Sequence, residues 1–265
     1  MCYLGLDVGS LSCDAVLINL QGDVLASAVV PTGADNLRAI AEARDRVLEA
    51  AGVTPGRIEG TVSTGYGRNR VADRHKAVTE ISCHARGIRA LNQEVDLLID
   101  IGGQDSKVVL MGPGGKVLDF AMNDKCAAGT GRFLEAMARV LDLEIAAMVE
   151  LDQGAAGEVN ISSTCTVFAE SEVVSLVARG EAIREIVSGL NRSVASRTLS
   201  LLRRICSAPQ GVVTAMSGGV ARNSGVVRAL EQALGSEIFV PADPDIVGAL
   251  GAALIARQEC GDQGG

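Results

Sequence analysis

The sequence predicts an α/β protein made of two related domains, each with a mixed sheet flanked by helices. The first observation is an internal repeat: residues 7–25 and 100–118 align at a constant offset of 93 without a gap. The second is that each copy reads as three strands joined by glycine-containing turns. The third is that strand-like and helix-like stretches alternate along the rest of the chain, which is typical of α/β folds.

Apolar spacing and capping residues predict the elements of the first half in order. After the first three strands, Asp35 or Asn36 caps a helix that runs to about Ala51. A strand over 58–63 follows, and Thr79 opens a helix over 80–91. These elements complete a first domain over residues 1–94.

The second half begins with a nearly continuous apolar run over 95–101, which is typical of a central buried strand. We expect a second domain over 95–244 and a last helix over 245–260 that packs back on the first domain. Between them the apolar spacing predicts helices near 130–141, 166–179, 182–206 and 223–234 and strands over 211–216 and 238–240.

Composition excludes several classes of protein. With 265 residues, 48% of them hydrophobic, the chain is long and apolar enough to bury a core. A net charge of −8, two Tyr, four Phe and no Trp argue against a nucleic-acid binder, which needs basic patches and stacking rings. No apolar run approaches the ~18 residues of a membrane span. The start of the chain lacks the basic region of a signal peptide, so we expect a cytoplasmic protein with no membrane or nucleic-acid partner.

The two copies of the repeat carry the first functional signal, an Asp-x-Gly turn at Asp7–Gly9 and at Asp100–Gly102. A strand that reverses at such a turn points backbone N–H groups outward, which suits an anion, and glycine lets a phosphate approach closely. The Asp can hold a hydrated Mg²⁺. One such turn is more often an ordinary hairpin, but two in register predict facing loops that clamp a polyphosphate in the cleft between the domains.

A third glycine-rich turn, Ser217-Gly218-Gly219, lies between a strand and a helix, where backbone N–H groups meet the positive helix end. Alone it fits an ordinary strand–helix loop. It matches neither the P-loop nor the dinucleotide-binding pattern. The last helix carries Gly248, Ala249, Gly251, Ala252 and Ala253, small residues that allow close helix approach or simply favour helix.

The order of these features resembles the actin/Hsp70/sugar-kinase ATPase superfamily. Four segments are similar to one branch, the ATP-dependent activators of 2-hydroxyacyl-CoA dehydratases, which are related to the ATPase subunits of benzoyl-CoA reductase. The resemblance runs from Leu4 to about Arg257. The segments are TGYGRN at 64–69, DIGGQD at 100–105, NDKCAAGTGRF at 123–133 and SSTCTVFAESE at 162–172.

The resemblance implies two actin-like, ribonuclease H-like domains and a homodimer with one shared [4Fe-4S] cluster, whose ligands in this chain are Cys126 and Cys165. Both cysteines lie in small-residue stretches that open helices, and the positive end of a helix favours a thiolate. A cubane cluster needs about four thiolates. If only these two ligate, the cluster lies on a two-fold axis. The other cysteines and the histidines carry no matched motif and are interpreted as packing or surface residues: Cys2, Cys13, Cys83, Cys206, Cys260, His75 and His84.

The resemblance also implies where ATP or ADP binds. Mg²⁺ is expected near Asp7, usually through water, and near Asp100, and Gln104 is the candidate that orients the attacking water. The expected phosphate contacts are Ser10, Leu11, Ser12, Cys13, Gly102, Gly103, Gln104 and Lys107, and the expected adenosine-side contacts are Gly218, Gly219 and Asn223.

The chain departs from the family pattern at two places. Asp14 stands where the first turn usually has a Lys, whereas the second copy keeps Lys107. Near the last helix, residues 243–248 lack the Gln/Asn pair that some relatives show. Both departures concern the nucleotide contacts.

The favoured function is an ATP-hydrolysing electron donor, loaded by a ferredoxin- or flavodoxin-type reductant. It docks on an acyl-CoA dehydratase or reductase partner, and domain closure moves the helices that follow Cys126 and Cys165. Two alternatives use the same scaffold. A small-molecule kinase would need a carboxylate base, for which Asp105 or Asp100 could serve, and an actin-like module would form nucleotide-dependent filaments.

Overall fold

The computed structural model describes residues 1–152, 155, 159–162, 165–206 and 211–261. The chain divides into two units. Unit 1 comprises Met1–Asp96, Met111–Leu118 and the segment from Pro241 onward, and unit 2 comprises Leu97–Leu110 and Asp119–Val240.

Ten strands and eight helices lie within the described residues. The strands are β1 (Cys2–Val8), β2 (Ser12–Asn19), β3 (Val24–Pro31), β4 (Ile58–Thr64), β5 (Lys76–Ala77), β6 (Leu97–Ile101), β7 (Ser106–Met111), β8 (Val117–Asn123), β9 (Thr214–Ser217) and β10 (Ile238–Phe239). The helices are α1 (Asn36–Ala51), α2 (Glu80–Leu91), α3 (Gly131–Val140), α4 (Ile145–Leu151), α5 (Thr166–Ala178), α6 (Ile183–Leu202), α7 (Ser224–Leu234) and α8 (Val247–Gly261).

The first sheet has the strand order β3-β2-β1-β4-β5. β1, β2 and β3 form an antiparallel meander, and β4 joins β1 in parallel because α1 provides the crossover. The α1 helix begins where it is predicted to begin, since the Asp35 side chain accepts hydrogen bonds from the Leu37 and Arg38 N–H groups. Such a cap stabilises a helix by about 1 kcal/mol.

Small residues bring α8 against β1 and α2 within unit 1. A Cβ added at Gly5 would lie 1.9 Å from the Ala249 carbonyl oxygen. One added at Gly251 would lie 1.7 Å from the Cys83 carbonyl oxygen. Because these distances are far below van der Waals contact, the backbones pack together only where side chains are missing. The small residues of the last helix are therefore a packing requirement.

The second sheet has the strand order β10-β9-β6-β7-β8 and repeats the register of the first. Asp7 lies opposite Asp14 across β1 and β2, and Asp100 lies opposite Lys107 across β6 and β7. The mixed sheets and the duplicated meander confirm the predicted fold class. The core of unit 2 is lined by the inner faces of α3 and α6, including Phe133, Met137, Leu190 and Val194.

Some boundaries and elements differ from the prediction. The strand predicted over 211–216 begins only at Thr214, and the helix predicted over 182–206 ends at Leu202. A short 3₁₀ turn over Pro244–Ile246 precedes α8, so this helix starts at Val247 rather than at residue 245. The short elements α4 and β5 are not predicted, because seven and two residues are too few to show a period.

No helix in the described part of the chain is long and apolar enough to cross a membrane.

Candidate functional site

The Asp-x-Gly turn of unit 1 reverses the chain tightly and is hydrogen-bonded to the buried Thr32. The Gly9 N–H donates to the Ser12 carbonyl oxygen at 2.9 Å. The Thr32 hydroxyl donates to the Gly9 carbonyl oxygen at 2.9 Å, and the Thr32 N–H donates to that of Leu11 at 2.8 Å. Ser10, Leu11 and Ser12 are partly exposed, whereas Cys13 is buried. The tip of the turn is therefore the part that a ligand can reach.

Asp7 is enclosed by residues that lack side chains. A Cβ added at Gly248 would lie 2.0 Å from Asp7 Oδ2, and one added at Gly65, which has φ +86°, would lie 2.5 Å from Asp7 Oδ1. The His84 Nε2 atom lies 3.9 Å from Asp7 Oδ2, and its Nδ1 donates to the Glu80 carbonyl oxygen at 3.0 Å. Sequence reasoning missed His84, since a lone histidine in a helix gives no signal of this contact.

Asp14 is buried on the same sheet face as Asp7, because directly opposed residues of an antiparallel pair share a face. Its Oδ2 accepts a hydrogen bond from the Ser12 hydroxyl at 3.2 Å. The first turn thus carries two facing carboxylates.

In unit 2 a cation, Lys107, occupies the position that corresponds to Asp14. Lys107 Nζ lies 3.2 Å from Asp100 Oδ2 and 2.7 Å from Asp105 Oδ2, and all three side chains are buried. The Ser217 hydroxyl donates to Asp100 Oδ1 at 2.7 Å. A buried lysine is retained when carboxylates compensate its charge. Lys107 therefore balances two Asp side chains of its own unit.

The third glycine-rich turn lies next to the second within unit 2. Gly218 has φ +83°, and a Cβ there would lie 2.4 Å from the Ile101 carbonyl oxygen and 3.0 Å from Asp100 Oδ1. Glycine is required here both by the conformation and by the close approach. Gly219 is exposed beside it.

Asn223, expected on the adenosine side, caps α7. Its Oδ1 accepts from the Gly225 N–H at 3.0 Å, and its Nδ2 donates to Asn191 Oδ1 at 3.2 Å. Asn191 in turn donates to Asp152 Oδ1 at 3.1 Å. Because both ends of this buried side chain are engaged, it shapes the loop around the third turn.

The second turn is bonded to the start of α3. The carbonyl oxygens of Gly102 and Gly103 accept hydrogen bonds from the N–H groups of Gly131 and Arg132, each at 2.9 Å. Gln104, next in the turn, is exposed. Gly131 follows Cys126 by five residues. The second Asp-x-Gly turn is therefore hydrogen-bonded directly to the segment that follows Cys126.

Cys126 and Cys165 occupy different local settings. Cys126 is exposed in the loop before α3, where its carbonyl oxygen accepts from Asn123 Nδ2 at 2.9 Å. Cys165 is partly buried at the N-cap of α5. The stretch around Cys126 does open a helix, but only after the intervening loop. Ser163 and Thr164, part of the motif around Cys165, lie outside the described residues.

Both cysteines interact with Arg197 of α6. Burial lowers the pKa of its guanidinium, and the charges of Cys126 and then Cys165 act in the opposite direction. One fixed cation is thus within electrostatic reach of both sulfur atoms.

Two buried thiols of unit 1, Cys13 and Cys83, are poorly suited to ligation. Burial, followed by the charges of Asp14 and Asp7, raises the pKa of Cys13 to about 12. Burial also raises the pKa of Cys83 to about 12. Only thiolates bind metals well. Among the described residues, no group of three or more His, Cys, Asp or Glu side chains is placed to hold a metal ion.

Comparison with known proteins gives three concordant findings. The family model described as the BadF/BadG/BcrA/BcrD ATPase family matches residues 4–256. The activator of lactoyl-CoA dehydratase from Anaerotignum propionicum is 47% identical, over 97% of this chain and 98% of that protein. The 2-hydroxyisocaproyl-CoA dehydratase activator from Clostridioides difficile is 44% identical, over 98% and 96%.

A solved structure of the activator of the 2-hydroxyisocaproyl-CoA dehydratase from Clostridium difficile, with bound ADPNP, superimposes with a TM-score of 0.92. It is 42% identical and covers 99% of this chain and 97% of that one. This similarity and the two mixed five-stranded sheets confirm the actin-like architecture that the resemblance implies.

Proposed function

Because the chain belongs to the BadF/BadG/BcrA/BcrD ATPase family, we propose that it is an ATP-hydrolysing activator of an acyl-CoA-processing partner. The partner is a 2-hydroxyacyl-CoA dehydratase or a benzoyl-CoA reductase-type enzyme in the cytoplasm. A ferredoxin- or flavodoxin-type protein is the reductant. The activator delivers one low-potential electron to the partner for each activation event.

The observation that carries this proposal is the bonding of the second phosphate turn to α3. Gly102 and Gly103 accept hydrogen bonds from the first residues of that helix, and Cys126 lies in the loop just before it. A nucleotide that contacts the turn differently as ATP and as ADP would shift α3 and Cys126 accordingly. Such coupling is limited to the difference in affinity of the nucleotide for the two conformations.

The donor set fits half of an iron–sulfur site. Cys126 and Cys165 share one cation, and a [4Fe-4S] cluster takes about four thiolates. We therefore propose that two copies of the chain supply two thiolates each. Such a cluster would supply one electron at a time at low potential. The residues of this chain hold it and couple its environment to the nucleotide.

The surface next to Cys165 supports the homodimer. Val167 and Phe168, the second and third residues of α5, are 66% and 68% exposed. Val174 and Val177 of the same helix are also exposed, and an exposed apolar surface of this kind is typical of an interaction site. A second copy of the chain would cover them while bringing its own pair of thiols.

The nucleotide chemistry is assigned to the turns. Ser10, Leu11 and Ser12 in unit 1 and Gly103 in unit 2 would bind phosphate oxygens through backbone N–H groups. The Gly102 N–H donates to the Asp105 carbonyl oxygen at 3.0 Å, so Gly102 would contribute by letting a phosphate approach closely. Asp7 would hold Mg²⁺ through water, with Asp100 near it. Gln104 is exposed at the turn, where a neutral side chain can orient the attacking water.

A small-molecule kinase is not favoured. Its candidate bases, Asp100 and Asp105, are both buried and paired with Lys107. An ion-paired carboxylate is a weak proton acceptor, since the nearby cation favours its ionised form.

The test is anaerobic purification with iron quantification and electron paramagnetic resonance. We expect a brown dimer with about four Fe per dimer. Cys126→Ser and Cys165→Ser should each lose the iron, whereas Cys206→Ser, a partly buried cysteine elsewhere in unit 2, should retain it. A colourless dimer with full ATPase activity would refute the proposal.

A further inference from the structure

Arg197 is held in place by contacts on three sides. Its guanidinium carbon lies 4.8 Å from the centre of the Phe133 ring, within the range of a cation–π contact. Its Nη1 donates to the Ser193 hydroxyl at 3.3 Å. A Cβ added at Gly129 would lie 3.2 Å from Arg197 Cδ, so the side-chain stem lies directly against the loop that follows Cys126. The arginine is therefore a support of that loop.

The same side chain interacts with both thiols. Cys126 and Cys165 precede two different helices, and the charge of each favours the protonated guanidinium against the cost of burial. Lys125 is also near in sequence, but it is exposed, and exposed charges are screened by water. Arg197 is partly buried, so its charge acts on the sulfur atoms with less screening.

We propose that Arg197 is a positioning residue for the iron–sulfur site: it braces the Cys126 loop and its charge raises the reduction potential of the cluster held by Cys126 and Cys165. This inference rests on the proposed function. One electron from the ferredoxin- or flavodoxin-type reductant adds one negative charge to the site, and the same electron leaves to the partner. A fixed positive charge stabilises the more negative, reduced form, so it favours loading.

The test compares three substitutions in the anaerobic holo-dimer. Arg197→Met and Arg197→Gln remove the charge, whereas Arg197→Lys keeps it and loses the planar contact with Phe133. Arg184→Met is the matched control, because Arg184 is on the same helix and 60% exposed. The potential is measured by a mediated redox titration followed spectroscopically.

At a fixed applied potential, we expect the ratio of reduced to oxidised protein to fall about tenfold in Arg197→Met and Arg197→Gln. For a one-electron couple this is a shift of about 59 mV to more negative potential. Arg197→Lys and Arg184→Met should stay within about twofold of the parent protein. The role of the charge would be overturned if all variants had the same reduction potential. It would also be overturned if Arg197→Lys and Arg197→Met shifted the potential equally.

Bracing of the loop is tested without iron, by amide hydrogen exchange of residues 126–131 in the apo-protein. Exchange should be faster in Arg197→Met and unchanged in Arg184→Met, and no difference between them would overturn the bracing role. Loss of iron from Arg197→Met, with retention in Arg197→Lys and an unchanged melting temperature, supports bracing, whereas loss from both overturns the proposal.

If the parent protein holds no iron, the proposed function fails. If it holds iron and Arg197 moves neither readout, only this inference fails.

Discussion

At the two Asp-x-Gly turns, one pair of facing residues differs in charge. Asp7 faces Asp14 in unit 1, whereas Asp100 faces Lys107 in unit 2, although both pairs occupy the same register of the repeat. The two copies of the repeat therefore share their strand geometry but differ in the charge of the facing residue. In unit 1, His84 Nε2 lies 3.9 Å from Asp7 Oδ2, and in unit 2, Asp105 Oδ2 lies 2.7 Å from Lys107 Nζ.

Lys107→Met should destabilise the protein by about 3–5 kcal/mol, because it leaves Asp100 and Asp105 as buried carboxylates without their cation. Chemical denaturation measures the loss. Lys116→Met removes a lysine from an exposed position in the hairpin that follows and should cost less than 1 kcal/mol. Equal losses in the two variants would contradict the assignment of Lys107 as a structural counter-ion.

The buried thiols should respond to pH in a defined direction. Cys13 and Cys83 have pKa values raised from 9.0 to about 12, so the fold favours their neutral form. Their contribution to stability is complete below pH 9 and is lost as pH rises from about 9 towards 12, because only the unfolded state ionises in that window. Cys13→Ala should flatten the fall in stability over that range.

Alkylation gives a second readout of the same thiols. At pH 8.5 the apo-protein should be modified at exposed Cys126, while Cys13 and Cys83 react only after unfolding. Mass spectrometry of the labelled peptides identifies the sites. Modification of Cys13 in the folded protein at the rate of Cys126 would show that its thiol is accessible.

At the scale of elements, the contact between α2 and α8 depends on missing side chains. Gly87 and Gly251 allow the two helices of unit 1 to approach until their backbones touch. The same packing places Gly248 against the Asp7 carboxylate, so the helix contact also shapes the first Asp-x-Gly turn.

Gly251→Ala should destabilise unit 1 by about 3 kcal/mol, since its Cβ would overlap the Cys83 carbonyl and force the helices apart. Gly56→Ala is the matched control, because nothing lies within 4 Å of the Cβ it would add. Thermal unfolding compares the two. A parent-like melting temperature for Gly251→Ala would rule out close packing at this point.

At the scale of the whole molecule, the exposed start of α5 connects the thiol site to the proposed dimer. Val167 and Phe168 follow Cys165 directly, so a surface that joins two copies would also join two thiol pairs. Dimerisation and iron binding are then one event.

Phe168→Glu should convert the dimer largely to monomer and lose the iron with it, because a carboxylate is costly to bury in an apolar interface. Leu37→Glu is the control: Leu37 is 59% exposed in the first turn of α1, where glutamate suits the helix end equally well. Light scattering and iron content are measured on both. A dimeric, iron-loaded Phe168→Glu protein would place the interface elsewhere.

Much of the fold was predictable because it is encoded locally. The repeat, the cap at Asp35 and the apolar run of β6 depend on neighbouring residues or on regular spacing, and the corresponding elements form. The short elements α4 and β5 escaped prediction, since tertiary contacts rather than periodicity hold them. The segments around Cys126 and Cys165 stand out only through their resemblance to the family pattern.

The amino-acid sequence by itself determined the duplicated architecture, the three glycine-rich turns and the two thiols. Only the tertiary structure decided that Asp14 lies opposite Asp7, that His84 reaches Asp7 from another element, and that Arg197 contacts the loop after Cys126 and interacts with both cysteines. The physical reason is that hydrogen bonding and apolar periodicity act between near neighbours along the chain. Charges and contacts between distant segments exist only after packing brings those segments together.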